Sequence, residues 1–231
     1  MRYFSLGDTA VVVEFDTVIG SSSHEKVRLL SLYLDQYPFL GMIEYIPAFT
    51  TVTVFYDPFV LRYAEAEAEL ERAVSQVEHL SLKQKARTVE IPVCYGGEFG
   101  PDLEDVASHN GLTAEEVVRI HSGGEYLVYM IGFAPGFPYL GGMSERIAAP
   151  RRSSPRLSIP AGTVGIAGMQ TGVYPIETPG GWQLIGRTPV PLFRPDRNPP
   201  TLLMAGDVIR FRPITQDEYE NWEGDIVCVS G

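Results

Sequence analysis

The pattern of apolar and polar residues in the first part of the chain predicts strands alternating with helices. A β-branched run, AVVVEF (10–15), and an alternating segment, TTVTVFYD (50–57), are typical of strands. Between them, the segment SSSHEKVRLLSLYLDQY places Val27, Leu30 and Leu34 on one face of a helix. One side of that helix is therefore expected to pack on the strands.

A second helix is predicted over 60–79, where a weak apolar stripe runs beneath the charges of AEAEAELERAV. Its predicted members are Leu61, Ala64, Ala68 and Val74. The order strand, strand, helix, strand, strand, helix fits a small α/β sandwich with its helices on one sheet face. We place this first domain at 1–80, and the polar segment EHLSLKQKART (78–88) is the predicted linker.

The pattern changes at Val89. VEIPVCY (89–95) is typical of a strand, and DLEDVASHNG is typical of a short helix that Gly111 can end in a left-handed conformation. TAEEVVRIHSGG predicts another helix, with Thr113 and Glu116 in the positions of a capping box. YLVYMIGF (126–133) is apolar on both faces, which predicts a central, fully buried strand.

Long helices are excluded over 132–200, which holds eleven Gly and twelve Pro residues. RLSIPAGTVGIAG and VYPIETPGGWQLIGRT each predict two short strands, AGDVIRFRP predicts another, and TQDEYENW predicts a helical turn. DIVCVS (225–230) is the predicted closing strand. Many short strands with two helices near the start favour a closed or nearly closed β-barrel, so 81–231 is the predicted second domain of an α+β chain.

Composition narrows the functional classes. A net charge of −11 argues against general binding to nucleic acid or to an anionic membrane. The N-terminus lacks the pattern of a signal peptide, so a soluble cytoplasmic protein is expected. Cys94 and Cys228 stand apart from other metal ligands, which favours buried thiols over a zinc site or a disulfide.

The charge is unevenly distributed. Over 146–197 there are seven arginines against two acidic residues, a local charge of +5, while the remainder carries −16. This basic segment predicts local binding of an anion, or a set of solvated arginines that pair with acidic surface nearby.

Several motifs of independent enzymes are absent. The sequence contains no Gly-Lys dipeptide and no G-x-G-x-x-G, H-E-x-x-H, C-x-x-C or G-x-S-x-G motif. If the protein takes part in catalysis, much of the machinery is expected on another chain.

Two features can carry chemistry before the glycine-rich region. His121 lies in the last turn of its helix, either as a charged C-terminal cap or as a general acid or base. PRRSSPR presents Arg151, Arg152 and Arg156 between prolines, as forked donors for a carboxylate or phosphate or as surface ion pairs.

The glycine-rich turns of 160–175 offer backbone donors beside Gln170, Thr171 and Tyr174, although tight barrel corners explain the glycines equally well. Trp182, after the turn in TPGGWQLIG, is a pocket wall or part of the core.

The run GFAPGFPYLGG (132–142) carries three aromatic residues on a rigid turn. We predict that Phe133 packs in the core, and that Phe137 and Tyr139 line a pocket or a contact with a partner chain.

Four segments together resemble the KipI-type family, known as the B subunit of bacterial ATP-dependent 5-oxoprolinase and earlier as allophanate hydrolase subunit 1. They are GDTAVVVEFD, VEIPVCYGGEFGPDLEDVA, GFAPGFPYLGG and PRRSSPRLSIPAGTVGIAGMQTGVYPIETPGGWQLIGRTP. The resemblance spans nearly the whole chain. It implies an N-terminal α/β sandwich domain followed by a cyclophilin-like β-barrel domain.

The resemblance also implies one non-autonomous part of a larger enzyme. Such a protein acts with a C subunit of the KipA type and with an A subunit to open 5-oxo-L-proline to L-glutamate, with ATP as co-substrate. The alternative implied role is inhibition of a sporulation sensor histidine kinase through protein binding. A peptide-binding barrel with prolyl isomerase activity rests on fold analogy alone.

Site residues follow from these motifs taken together. The catalytic candidates are His121, Arg152 and Gln170. The candidates for contact with substrate or partner are Phe137, Tyr139, Arg151, Arg156, Thr171, Tyr174 and Trp182. No metal ligand is predicted, and ATP is not expected to be held by this chain alone.

Overall fold

A computed structural model of the chain describes residues 1–77, 79–80, 86–224 and 228–229. Its internal contacts divide the chain into two compact units, Met1–Lys85 and Ala86–Gly231. Most of the predicted linker, 78 and 81–85, lies outside the described residues.

The N-terminal unit follows the predicted order of strands and helices. Its elements are β1 (Arg2–Ser5), β2 (Ala10–Glu14), α1 (Ser21–Gln36), β3 (Met42–Pro47), β4 (Thr51–Tyr56) and α2 (Tyr63–Val77). The strands form one antiparallel sheet in the order β1-β2-β4-β3. Val27, Leu30 and Leu34 of α1 are buried in the core against this sheet, as the periodicity predicted.

The apolar stripe predicted for α2 was wrong in part. Ala64 is exposed, and the buried residues of the helix lie on a different face. They are Ala66, Leu70, Ala73, Val74 and Val77. Val74 was assigned correctly, and Leu61, just before the helix, packs against the same core. The alanines at 64, 66, 68 and 73 lie on two opposite faces of the helix and leave its periodicity ambiguous.

The C-terminal unit is built from short strands with few helices. Its elements are β5 (Thr88–Tyr95), α3 (Leu103–Asn110), α4 (Ala114–Ser122), β6 (Tyr126–Ile131), β7 (Pro138–Gly141), a 3-10 turn (Glu145–Ile147), β8 (Arg156–Ile159), β9 (Thr163–Ala167), β10 (Gln170–Val173), β11 (Thr178–Gly180), β12 (Gln183–Arg187), β13 (Val208–Ile214), α5 (Gln216–Glu220) and β14 (Cys228–Val229).

Seven of these strands form a nearly closed, barrel-like sheet in the order β10-β9-β12-β5-β13-β6-β7. A Cβ atom added to Gly172 on β10 would lie 3.4 Å from the carbonyl oxygen of Pro138 on β7, so the two ends of the sheet approach each other. Strands β8 and β11 pair separately as a two-stranded sheet. The chain is thus a mixed α/β protein with a barrel in its C-terminal unit.

Local signals for α3 and α4 were correct. In α4, the Glu116 backbone N–H donates to Thr113 Oγ1 at 3.2 Å, and the Thr113 N–H donates to the Glu116 carboxylate at 3.0 Å. Gly111 ends α3 with a φ of 64°.

β6 lies between β13 and β7, but only Tyr126 and Val128 are buried in it, so the prediction of a fully buried strand was wrong. Within the predicted closing strand, Cys228–Val229 pairs antiparallel with β5, and the rest of 225–230 lies outside the described residues. Cys94 is a buried free thiol.

Candidate functional site

An aromatic pocket in the C-terminal unit brings together residues from four of the segments singled out in the sequence. Its volume is about 370 Å³. It is lined by Phe133, Phe137, Tyr139, Arg151, Pro155, Gln170, Tyr174, Pro179, Gly180, Gly181 and Trp182. Six of the ten predicted site residues therefore share one cavity, which has the size and the mixed lining of a small-molecule site.

Phe137 is the centre of the pocket wall. Its ring contacts Tyr139, Tyr174 and Trp182 edge to face, with ring centroids 5.3, 5.6 and 5.8 Å apart. Phe137 and Trp182 are also buried in a cluster with Ile159, so Trp182 serves both as core packing and as pocket wall. Because these rings pack on one another, contacts within the protein fix the shape of the wall.

Glycines give the rings their space. A Cβ atom on Gly172 would lie 3.1 Å from Phe137 Cζ and 3.2 Å from Trp182 Cζ3. A Cβ atom on Gly180 would come within 2.5 Å of the Tyr174 hydroxyl. Close approach of aromatic side chains to the backbone therefore accounts for glycine at these two positions.

Phe133 is not in the core, and that prediction was wrong. Its side chain is 68% exposed and contacts Phe137 at the edge of the pocket, with ring centroids 5.4 Å apart. Its φ of 67° lies in the left-handed region that a non-glycine residue seldom adopts. The turn after β6 thus directs this ring outward, and strained backbone of this kind often occurs at functional sites.

Tyr174 provides a neutral hydroxyl. Burial raises its pKa to about 12, although Arg151, the Trp182 backbone N–H and Arg156 each favour the phenolate. The phenol therefore stays protonated at neutral pH, where it can donate a hydrogen bond but cannot act as a base.

Arg151 and Gln170 are the polar side chains at this pocket with no partner among the described residues. Arg151 is exposed and forms no ion pair or side-chain hydrogen bond there, and the Gln170 amide likewise forms no side-chain hydrogen bond. The backbone around Arg151 is fixed, since Gln183 Nε2 donates to the Pro150 carbonyl at 2.9 Å and the Arg152 N–H donates to the Gly181 carbonyl at 2.8 Å. A guanidinium is thus held beside an aromatic cavity.

The other two arginines of this segment have an internal partner instead. Arg152 and Arg156 bind the same Asp102 carboxylate oxygen, at 3.1 and 2.7 Å. The second oxygen of Asp102 accepts the Leu184 backbone N–H at 2.7 Å. Because the Asp102 side chain is only 3% exposed, this is a buried anchor and not a surface ion pair, and neither arginine lines the pocket.

His121 and Thr171 lie in the barrel core, outside the pocket. His121 Nδ1 is 2.8 Å from the Tyr95 hydroxyl, and Nε2 is 2.9 Å from Thr171 Oγ1. Thr171 donates to the Gly165 carbonyl at 3.0 Å, so it accepts from His121 Nε2–H, and Nδ1 accepts from Tyr95. Complete burial lowers the pKa of His121 to about 3, so the ring is neutral and is not a charged helix cap.

This burial predicts a pH dependence of stability. In the unfolded chain, His121 binds a proton below about pH 6.5, the ordinary pKa of histidine. In the native protein it stays neutral down to about pH 3. Acidification between these two values therefore lowers the free energy of unfolding. Relative to His121→Gln, the wild type is expected to lose about 1.4 kcal/mol of unfolding free energy per pH unit between these limits. Urea unfolding at several pH values measures the difference.

The matched control is His109→Gln, since His109 is exposed on α3. This variant should keep the wild-type slope of unfolding free energy against pH. Parallel curves for His121→Gln and the wild type would contradict a buried neutral His121.

Asp102 is the site residue that sequence reasoning missed. It was assigned only to the start of a helix, where an acidic residue is common. Its partners lie 50, 54 and 82 residues away along the chain, so no local pattern reveals them. Asp102 does not line the pocket, whereas Pro179, Gly180 and Gly181 do, and the PGGW turn is the sequence signal for these three.

Two further classes of feature are absent from the described part of the chain. No group of three or more His, Cys, Asp or Glu side chains is placed there to hold a metal ion. No helix there is long and apolar enough to cross a membrane.

Comparison with known proteins places this chain in a family. Residues 1–203 match the model of the carboxyltransferase domain, subdomain C and D. The chain is 54% identical over 228 residues to the 5-oxoprolinase B subunit of Bacillus subtilis, with 94% of this chain and 95% of the relative covered. It is 46% identical over 217 residues to the 5-oxoprolinase B subunit of Escherichia coli O157:H7, with 92% and 95% covered.

A solved structure with a related sequence has the same fold. The crystal structure of TTHA0988 superimposes with a TM-score of 0.77 at 35% identity, and the match covers 89% of this chain and 40% of that chain. The related region is therefore part of a longer polypeptide in that protein. With the family model and the two relatives, this establishes that the chain belongs to the carboxyltransferase subdomain C and D family, which includes the 5-oxoprolinase B subunits and is the KipI-type family indicated by its motifs.

Proposed function

We propose that this chain is the B subunit of an ATP-dependent 5-oxoprolinase, which opens 5-oxo-L-proline to L-glutamate with hydrolysis of ATP. The observation that carries the proposal is the aromatic pocket with an unpaired guanidinium beside it, in a chain 54% identical to a 5-oxoprolinase B subunit. We also propose that the barrel is of the cyclophilin-like type.

The lining of the pocket suits this substrate. 5-Oxoproline is a small, nearly flat lactam ring with one carboxylate. The ring fits against the faces and edges of Phe137, Tyr139 and Trp182, while the forked donors of Arg151 suit the carboxylate. The free amide of Gln170 can pair with the lactam C=O and N–H, which present one acceptor and one donor.

The same lining supports the proposal that the chain acts with partner subunits. No Asp, Glu or His side chain lines the aromatic pocket among the described residues, and Tyr174 stays protonated. Water therefore has no general base within this cavity. Transfer of phosphate to the lactam oxygen also needs cations where negative charge develops, and Arg151 is the single cationic side chain in the described lining.

The A and C subunits are the expected sources of the missing groups. In this proposal the chain binds and orients 5-oxoproline, and ATP is held with the help of the partners. Arg152 then acts through Asp102 to position the arginine segment, and His121 acts as a structural residue of the barrel.

The test is reconstitution. The chain is purified alone and is also co-expressed with 5-oxoprolinase A and C subunits, and the release of glutamate and of ADP from 5-oxoproline and ATP is measured in both cases. We expect no turnover by the chain alone and coupled release of both products by the mixture. Activity of the isolated chain would contradict the composite site, and an inactive mixture of folded subunits would favour the protein-binding role.

A further inference from the structure

A second cavity of about 270 Å³ lies in the loop between β12 and β13 and shares no lining residue with the aromatic pocket. Three arginines, Arg87, Arg194 and Arg197, line it together with prolines and Asn198. We call it the arginine pocket. Arg194 and Arg197 belong to the basic segment 146–197, for which the sequence predicted local anion binding, but the proposed lactam chemistry does not use this pocket.

The loop that carries the arginine pocket is held in shape by hydrogen bonds within its own backbone. The Arg194 backbone N–H donates to the Pro200 carbonyl at 2.7 Å, and the Leu202 N–H donates to the Leu192 carbonyl at 2.8 Å. Phe193 and Thr201 form an antiparallel bridge across the loop. Prolines further restrict its backbone, so binding here orders mainly the arginine side chains.

The three arginines of the arginine pocket differ in whether they have a charged partner. Arg87 is paired, since its Nε donates to Asp207 Oδ1 at 2.9 Å and its Nη2 donates to the Leu202 carbonyl at 2.8 Å. Arg194 and Arg197 form no ion pair or side-chain hydrogen bond with any described residue, and no acidic side chain lines the cavity in the described part of the chain. Two positive charges are thus left uncompensated in a chain whose net charge is −11.

We propose that the arginine pocket binds a phosphate group in its dianionic form. Two unpaired guanidinium groups match two negative charges, and their planar forks suit the oxygens of a phosphate. A carboxylate would neutralise only one of them. No aromatic side chain lines this cavity in the described residues, so a nucleobase would find no stacking surface there, and recognition is confined to the phosphate.

This inference is independent of the proposed lactam chemistry, because it requires only the isolated chain. Calorimetric titration with inorganic phosphate in low salt tests it directly, with acetate as the carboxylate control. We expect one saturable phosphate site. The double variant Arg194→Gln, Arg197→Gln should raise the Kd for phosphate at least about tenfold. The control variant is Arg146→Gln, because Arg146 is exposed and lies outside both pockets, and it should change this Kd less than about twofold.

Titrations with ATP and pyrophosphate, and a lysine variant, identify the molecule that carries the phosphate group and exclude general charge effects. Tighter binding of ATP or pyrophosphate than of phosphate would assign the site to a polyphosphate chain, and equal affinities would assign it to a single phosphate group. Arg194→Lys with Arg197→Lys should weaken binding in part, because the charge remains but the forks are lost. Circular dichroism of each variant verifies the fold.

The proposal is overturned by absence of saturable binding of phosphate, pyrophosphate and ATP at up to about 10 mM. Equal loss of affinity in Arg146→Gln and in the double variant would also overturn it, since the binding would then follow net charge. Binding of acetate as tight as that of phosphate would contradict the dianion.

Discussion

Replacement of Asp102 by alanine is expected to lower the free energy of unfolding by about 3 kcal/mol. Breaking a buried ion pair costs about 3–5 kcal/mol because it leaves charge without compensation, and the orphaned Leu184 N–H adds about 1 kcal/mol. The side chains of Arg152 and Arg156 are 35% and 24% exposed, so water recovers part of this loss. Urea unfolding followed by circular dichroism measures the change.

Exposed Asp105, in the first turn of the same helix, supplies the control. Asp105→Ala removes a carboxylate whose only expected contribution is its interaction with the dipole at the helix N-terminus. The free energy of unfolding should therefore fall by less than about 1 kcal/mol. Asp102→Asn should fall between the two, because an amide oxygen can still accept the Leu184 N–H but carries no charge. Equal stability of Asp102→Ala and Asp105→Ala would show that the buried anchor contributes little.

Much of the fold follows from local signals. The alternating segment TTVTVFYD became β4 with Val52, Val54 and Tyr56 buried, since a strand places every second side chain on one face. The capping residues of α4 and the left-handed Gly111 acted as the sequence predicted, because these interactions span only a few residues. The failure in β6 concerns how much of the strand its neighbours cover, which local periodicity does not determine. The failure in α2 concerns which face is covered, because alanines on opposite faces make its periodicity ambiguous.

The candidate site divides in the same way. Phe137, Tyr139 and Trp182 were predictable as pocket residues because unusual aromatic content stood beside Gly and Pro. The prediction for Phe133 was wrong because Phe133 itself has a left-handed backbone conformation, which directs its side chain outward. No sequence pattern marks a non-glycine residue that adopts this conformation. Arg151 lines the pocket, whereas Arg152 and Arg156 form ion pairs with Asp102. This difference could not be predicted, because only the tertiary structure brings Asp102 beside the two arginines.

Arg151 carries the second of the large expected effects. In the reconstituted complex, Arg151→Gln should raise the KM for 5-oxoproline about 30-fold, since a hydrogen bond to a charged group contributes about 2 kcal/mol and 1.4 kcal/mol corresponds to tenfold. The value of kcat should change little, because the carboxylate lies away from the bond that breaks and is bound alike in ground and transition states. Initial rates of glutamate release against 5-oxoproline concentration give both constants.

Arg146→Gln is the matched control, because it removes one exposed arginine of the same unit that does not line the pocket. Its KM should stay within about twofold of wild type, which separates a direct contact from long-range attraction of an anionic substrate. Arg151→Lys should recover only part of the affinity, since an ammonium group lacks the fork that pairs with both carboxylate oxygens. An unchanged KM in Arg151→Gln would show that Arg151 does not bind the substrate carboxylate. A decrease in kcat with no change in KM would show that Arg151 instead acts on the reacting atoms in the transition state.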